Sequence, residues 1–304
     1  MGIDAAHYHP WKRNPGGNLG GPLLGAWRGI AAVVRTTLLQ LMRRKAYWAI
    51  YAVGISQFVV YWVVIYALTQ LQLPPGTQRG MLNTFGFSIE ADDPQDTGYL
   101  DFMEQQSYVV MILLAFCGSL VVGSDFREGT LPFYLSRRLE RRHYILGKLV
   151  ALVILIWLFT VLPALILFLE YGMFTTSTEY WEANWRVVPS ILGYGAILGA
   201  VLALWLAAIS AYLQKLAPIA VLWSSLFVLL GRLGFMLSRE TGIREWILLD
   251  PWKDLRLAGR LCFGQFRTAG DAQLSTTAAG ILIGVSVVAL LALIRRVRAV
   301  EVAA

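Results

Sequence analysis

The sequence predicts an all-α membrane protein with six transmembrane helices and an N-terminal amphipathic helix at the membrane interface. The chain has 304 residues, of which 57% are hydrophobic, and its mean hydropathy is +0.58. Charged residues make up 15% of the chain, whereas a typical soluble domain has about 25%. Apolar residues concentrate in six stretches of about 20 residues, the length that a helix needs to cross a bilayer core. This composition favours a membrane protein over one or two soluble domains.

Each apolar stretch predicts one span. Lipid offers the backbone no hydrogen-bond partners, so the spans should be helices, and none of them shows the two-residue alternation of a barrel strand. Pro163 lies inside the third stretch and should kink that helix. Two GxxxG patterns, Gly195/Gly199 and Gly280/Gly284, permit close helix contact within one subunit or between two. The approximate limits of the spans are 47–69, 107–123, 149–169, 188–212, 217–236 and 278–294.

The residues before the first span divide into a tail and a helix. Residues 1–26 contain a flexible Gly/Pro segment and no recognisable cleavable signal, so we expect a cytoplasmic tail. Residues 27–46 place apolar side chains at helical spacing and charges elsewhere. We expect this helix to lie in the cytoplasmic interface, or alternatively to pack on a partner protein. The regularly spaced apolar residues are Trp27, Ile30, Val34, Leu38 and Leu41.

Basic residues predict the orientation, because Lys and Arg are enriched in cytoplasmic connections. Seven basic residues precede the first span and six lie in 124–148, whereas 70–106 has one basic residue against six acids. Residues 47–304 therefore form a transmembrane domain of the cell (inner or plasma) membrane, and both termini are predicted to be cytoplasmic. Residues 124–148 are then the first cytoplasmic loop, and 237–277 is an outer loop.

The predicted outer loop 237–277 alternates apolar and charged residues around Trp246 and Trp252. One interpretation is a re-entrant or interfacial helix pair that forms an extracellular gate. The other is an interfacial anchor with its tryptophans at headgroup depth. The sequence leaves both open.

Several function classes lack their sequence signatures. The predicted spans hold almost no ionisable residue except Arg232, which disfavours an ion-coupled carrier. HExxH, GxSxG and paired intramembrane carboxylates are missing, and so is the GxxxxGK[ST] loop that cradles ATP. No Cys/His cluster has metal-ligand spacing, and the basic residues form no compact patch for nucleic acid. We therefore expect no catalytic, cofactor or metal site and no nucleic-acid partner.

The predicted cytoplasmic loop contains an apolar island. The segment "GSDFREGTLPFYLSRRLERRHYILGK" begins at Gly123, and its centre holds Leu131, Phe133 and Leu135 among charges. Pro132 suits the first position of a short helix. Such a helix would present these side chains either to lipid headgroups or to a groove on a partner.

The same segment resembles the signature of ABC-2 type transporter permeases. Members of that family carry an ExGT-like end to the second span, a short coupling helix, and an arginine shortly before a Gly-Lys that opens the third span. The topology predicted above is also similar to theirs, although Arg138 stands where the family often has proline. The matching residues here are Glu128, Gly129, Thr130, Leu131, Leu135, Ser136, Arg141, Gly147 and Lys148, and Phe133 joins them as a docking residue.

The resemblance implies a permease subunit of an ATP-driven transporter of the exporter kind, with an ABC-2 permease-like fold. Two such subunits, identical or related, would enclose a path across the membrane lipids. Two separate P-loop ATPase subunits would bind ATP and receive the coupling helices, so the permease itself would not be an enzyme. The alternatives are an ion-coupled or facilitative carrier, and a membrane anchor or assembly protein that transports nothing.

Overall fold

The computed structural model describes residues 22–87, 98–118, 123, 141–175, 178–266 and 269–302. Within these ranges the chain is helical almost throughout, and no strand occurs in them. A 3₁₀ helix spans Arg244–Leu249. The α-helices of the described residues are α1 (Pro22–Met42), α2 (Lys45–Gln70), α3 (Pro75–Phe85), α4 (Gly98–Gly118), α5 (Arg141–Phe159), α6 (Val161–Thr175), α7 (Thr178–Asn184), α8 (Val187–Leu213), α9 (Leu216–Thr241), α10 (Pro251–Phe263) and α11 (Ala269–Val302).

Six helical segments are long and apolar enough to cross a membrane, as the hydropathy pattern predicts. Successive segments run in opposite directions, so the connections between them lie alternately at the two ends of a bundle. We call one the α1 end, where α1 packs on the start of α5, and the other the α10 end, where α2 and α9 finish and α10 lies. The six segments are Lys45–Gln70, Gly98–Gly118, Arg142–Thr175, Tyr180–Leu213, Leu216–Thr241 and Gly270–Val297.

The second span begins at Gly98, whereas hydropathy alone places its start near residue 107. The first turns of α4 carry Asp101 and Glu104, which lower the hydropathy of this part of the sequence. Both acids pair with Arg256 of α10 and are thereby accommodated inside the bundle. The start of α4 is therefore stabilised by ion pairs with Arg256, a residue far away in the sequence.

The third span is interrupted at Thr160, between α5 and α6. Proline has no backbone N–H, so Pro163 cannot donate to the carbonyl of Phe159, four residues earlier. The Thr160 hydroxyl donates to the Ile156 carbonyl at 2.9 Å and supports the helix end at the interruption. The position agrees with the disturbance that Pro163 predicts in this span.

Helix α8 lies at the centre of the bundle and packs against α4, α5, α6, α9, α10 and α11. Two of its glycines, Gly195 and Gly199, allow the close approach of the third span. A Cβ on Gly199 would lie 3.1 Å from Val153 Cγ1, and one on Gly195 would overlap Val161. The Trp157 indole donates to the Gly195 carbonyl at 2.9 Å. The first GxxxG pattern therefore serves packing within the subunit, while a Cβ at Gly280 or Gly284 would meet nothing within 4 Å.

Helices α2, α9 and α11 lie at the periphery of the bundle. Their span windows are only 22% buried, against 67% for the second span. Large apolar side chains on these three helices are exposed, as expected of surfaces that face lipid. Examples are Val59, Val63, Val228, Leu229, Val288 and Leu291.

Helix α1 packs along α5, and the packed row differs from the spacing noted in the sequence. Val33, Thr37 and Leu41 are the buried residues, while Trp27 is 67% exposed. The apolar residues Ile30, Val34 and Leu38 flank this row and are half-buried. Sequence periodicity finds the apolar side of such a helix, but the exact row depends on the shape of α5. Two residues connect α1 to α2, and the Trp48 indole donates to the Met42 carbonyl at 2.8 Å.

Candidate functional site

Most of the predicted coupling residues lie outside the described residues. These are Glu128, Gly129, Thr130, Leu131, Phe133, Leu135 and Ser136. Arg141 begins α5, but its side chain is likewise outside the described set. Gly147 and Lys148 are the two whose surroundings are defined, and both lie where α5 meets α1.

Gly147 allows α1 and α5 to touch. A Cβ at this position would lie 2.8 Å from Val33 Cβ and 3.3 Å from the Ile30 carbonyl oxygen, both on α1. The next residue, Lys148, is 4% exposed, and its ammonium nitrogen lies 5.8 Å from the centre of the Tyr144 ring. The Gly-Lys pair that the resemblance singles out therefore has a packing role at the α1 end.

A second arrangement lies at the α10 end, in the segment that the sequence predicts as an outer loop. Helix α10 begins sharply because the Asp250 carboxylate accepts the Trp252 amide at 3.0 Å and Pro251 occupies the first turn. It packs against α4, α8, α9 and α11. A Cβ on Gly259 would lie 2.5 Å from Leu100 Cδ1. Such contacts are those of a helix inserted between spans.

The two faces of α10 differ in chemistry. Leu255 and Ala258 are buried against the bundle. The opposite face carries Lys253, Arg256 and Arg260, at helical spacings of three and four residues. All three cationic side chains line one cavity of about 610 Å³.

Ion pairs fix the walls of this cavity. The Arg256 guanidinium donates to Asp101 Oδ1 at 2.7 Å and lies 2.8 Å from Glu104 Oε2. Arg244 of the 3₁₀ helix contacts Asp271 Oδ1 of α11 at 2.7 Å. The two pairs of Arg256 connect α10 to α4, and the pair of Arg244 connects the 3₁₀ helix to α11. Charge-assisted hydrogen bonds of this kind hold guanidinium groups in defined orientations.

Aromatic rings continue from the cavity into the bundle. The Tyr108 hydroxyl donates to Glu104 Oε1 at 3.4 Å, and its ring centroid lies 4.7 Å from that of Trp252. Trp252 then contacts Phe227 at 4.8 Å, and Phe227 contacts Trp223 at 5.0 Å. The cavity therefore has an apolar, aromatic wall beside its charged wall.

Asp254 lies on the buried side of α10. Asp254 is 2% exposed, and one of its carboxyl oxygens has no hydrogen-bond partner among the described residues. Burial, followed by the nearby charge of Asp250, raises the pKa of the Asp254 carboxyl to about 7. Burial also raises the pKa of the Cys262 thiol at the end of the same helix. No group of three or more His, Cys, Asp or Glu side chains in the described ranges could hold a metal ion.

The cavity residues belong to none of the sites that the sequence predicts. Asp101 and Glu104 fall among the six acids of the predicted loop 70–106, and Arg256 falls in the predicted outer loop 237–277. Two patterns could have drawn attention to them. The acids are spaced three residues apart, and the cations Lys253, Arg256 and Arg260 recur on one helical face.

The six apolar segments define a helical, multi-pass membrane protein. The chain belongs to the family described as "Protein of unknown function (DUF2705)", whose model matches residues 77–294. The match contains every charged residue of the cavity as well as Gly147 and Lys148, and it leaves α1 and α2 outside. None of the curated proteins matches the chain.

Proposed function

We propose that this chain is the permease subunit of an ABC-2 type ATP-driven transporter, and that it acts as part of an exporter. The observation that carries the proposal is the segment "REGTLPFYLSRR…RRHYILGK" in a chain with six candidate spans. The packing of Gly147 against α1 supports it, because the residue falls where the third span of such a permease would meet its N-terminal helix.

In this proposal ATP is bound by two separate P-loop ATPase subunits, and two permease chains face each other. The short helix around Leu131, Phe133 and Leu135 docks into each ATPase. Closing of the ATPase pair moves these helices, and α5 carries the movement into the bundle. Such coupling requires the two states of the ATPase pair to have different affinities for the docked helix.

Basic residues support the orientation that the proposal needs. They are concentrated before the first span and in residues 124–148 of the sequence, and this bias favours a cytoplasmic position for the α1 end. The α10 end then faces outward, in the plasma or inner membrane. Both termini are cytoplasmic in this arrangement.

Co-purification with an ATPase tests the proposal. Replacing Leu131, Phe133 and Leu135 together by Asp should release a P-loop ATPase that co-purifies with the wild-type chain, because charged side chains cannot fill an apolar groove. Size-exclusion elution of the variant in detergent should be unchanged.

A matched control makes the same number of apolar-to-Asp changes at the α10 end. Leu71, Trp185 and Ile243 are exposed there, and their replacement should leave the ATPase bound. If the wild-type chain brings down no ATPase, or if the loop variant retains it, the permease assignment is wrong.

One observation favours the ion-coupled carrier as a second candidate. Glu170 lies within the third span, is buried, and has no hydrogen-bond partner for either carboxyl oxygen among the described residues. Intramembrane carboxyls are groups that ion-coupled carriers use. Transport in vesicles that is abolished by a protonophore and insensitive to vanadate would favour this candidate over the ATP-driven one.

A further inference from the structure

The cavity at the α10 end carries an excess of positive charge on its walls. Its charged lining residues are the acids Glu104 and Asp250 and the cations Arg244, Lys253, Arg256 and Arg260. Three of the four cations come from one face of α10, where like charges three and four residues apart repel one another, although Asp101 and Glu104 already compensate Arg256. A ligand with negative charge would relieve this repulsion.

Three acids orient two of the arginines, and only one of the three, Glu104, belongs to the cavity lining. Asp101 holds Arg256, and Asp271 holds Arg244, yet neither acid is among the described residues that line the cavity. Ion pairs therefore hold both guanidinium groups in place before any ligand arrives. Such preorganisation reduces the entropy that binding an oxyanion would otherwise cost, and guanidinium geometry matches phosphate oxygens.

The remaining walls suit an apolar group. The Tyr108 and Trp252 rings stand side by side, and Leu257 and Leu274 complete the surface. The volume of about 610 Å³ exceeds what a lone phosphate needs and lies within the range of about 300–1,000 Å³ typical of ligand pockets. One cavity thus offers both a cationic wall and an aromatic wall.

We propose that this cavity binds the phosphate head of an anionic amphiphile. Lys253, Arg256 and Arg260 contact the phosphate, and the Tyr108–Trp252 ring pair contacts the first apolar groups of the tail. The site needs neither an ATPase nor transport, so it goes beyond the permease proposal and can stand if that proposal fails.

Equilibrium binding to the purified full chain in a neutral detergent tests this site. The probes are oleoyl lysophosphatidic acid, oleoyl lysophosphatidylcholine, which has the same tail and a choline-neutralised phosphate, and inorganic phosphate, which has no tail. Lysophosphatidic acid should bind with a Kd at least about tenfold lower than either comparator, since it alone satisfies both walls. Equal binding of lysophosphatidylcholine, or of inorganic phosphate, would overturn the proposal.

The variant Lys253→Gln/Arg260→Gln should raise the Kd for lysophosphatidic acid by about tenfold or more, because charge-assisted contacts are lost. It should leave the weak binding of lysophosphatidylcholine unchanged. Arg79→Gln/Arg239→Gln removes two exposed cations that do not line the cavity and should have no effect. An equal loss in both double variants would indicate general attraction to a basic protein and overturn the site.

Salt provides a readout that needs no variant. Raising NaCl from roughly 0.05 to 0.5 M should weaken binding of lysophosphatidic acid several-fold and leave lysophosphatidylcholine unaffected, because only the former depends on charge. Arg260→Lys, which keeps the charge, should bind more tightly than Arg260→Gln. Salt-independent binding of lysophosphatidic acid would contradict the cationic wall.

Discussion

The guanidinium of Arg256 contacts the carboxylate of Asp101 at 2.7 Å, although the two residues are 155 positions apart in the chain. The contact joins a short helix of the predicted outer loop to the start of the second span. Glu104, one turn further along α4, contacts the same guanidinium. This ion-pair triad explains why a span can begin among acids and why α10 lies within the bundle.

Loss of Arg256 should destabilise the chain. Arg256→Gln leaves Glu104, which is 8% exposed, without its cation, and an unsatisfied buried polar group costs about 1–3 kcal/mol, with a larger cost for a charged one. Thermal unfolding in detergent measures the effect. Adding Glu104→Gln should recover part of the loss, so a double variant that is simply additive would contradict the pairing.

Stability should depend on pH through Asp254. Its folded pKa is raised from 3.8 to about 7, so the folded chain holds this proton at pH values where the unfolded chain has released it. Stability should therefore fall as pH rises from about 4 to 7, by at most about 1.4 kcal/mol per pH unit, and level off above pH 7. Asp254→Asn should remove this component.

Comparison of unfolding midpoints at pH 5 and pH 8 checks the Asp254 prediction. The wild-type chain should lose more stability between these values than Asp254→Asn does. Glu240→Gln, at an exposed position, serves as the control and should follow the wild type. Parallel pH dependence of all three proteins would show that Asp254 does not titrate in this range.

Gly147 should be intolerant of larger side chains. In Gly147→Leu the new atoms would overlap Val33, and overpacking of a close contact costs about 1–3 kcal/mol. Gly280→Leu places the same side chain in open space and should be neutral or slightly stabilising.

Displacement of α1 gives this prediction a second readout. Thr37 is 1% exposed on the buried row of α1, so a cysteine placed there should react slowly with a soluble maleimide. The same cysteine should react faster in the Gly147→Leu background. Unchanged reactivity would mean that α1 stays in place and that Gly147 is not required for the contact.

Cysteine labelling in intact cells should locate the two ends of the bundle. With Cys117 and Cys262 replaced by Ala, Trp246→Cys should react with a membrane-impermeant maleimide from outside. Phe133→Cys should react only after the cells are opened, because the basic residues around it are predicted to remain in the cytoplasm. Reaction of Phe133→Cys in intact cells would show that the orientation is opposite to the predicted one. A cytoplasmic ATPase could then not dock on this segment.

Hydropathy alone was sufficient to locate the six spans, because burial of apolar length in lipid is a local property of the chain. Hydropathy predicts too late a start for the second span, because Asp101 and Glu104 are stabilised by Arg256 and no local window contains that partner. The buried row of α1 depends similarly on the surface of α5 around Gly147. The cavity combines residues from α4, the 3₁₀ helix, α10 and α11, so its assembly could not be read from any one segment. The coupling residues 128–136 remain predictions.

Helix α10 packs against helices that are synthesised before it, and this has a consequence for biogenesis. At translation rates of about 5–20 residues per second, Arg256 leaves the ribosome about 8–30 s after Asp101. During that interval the first turns of α4 carry acids without the arginine that accompanies them in the finished chain. Nascent chains stalled before α10 should therefore be recognised by membrane quality-control proteases, whereas chains released after it should escape them.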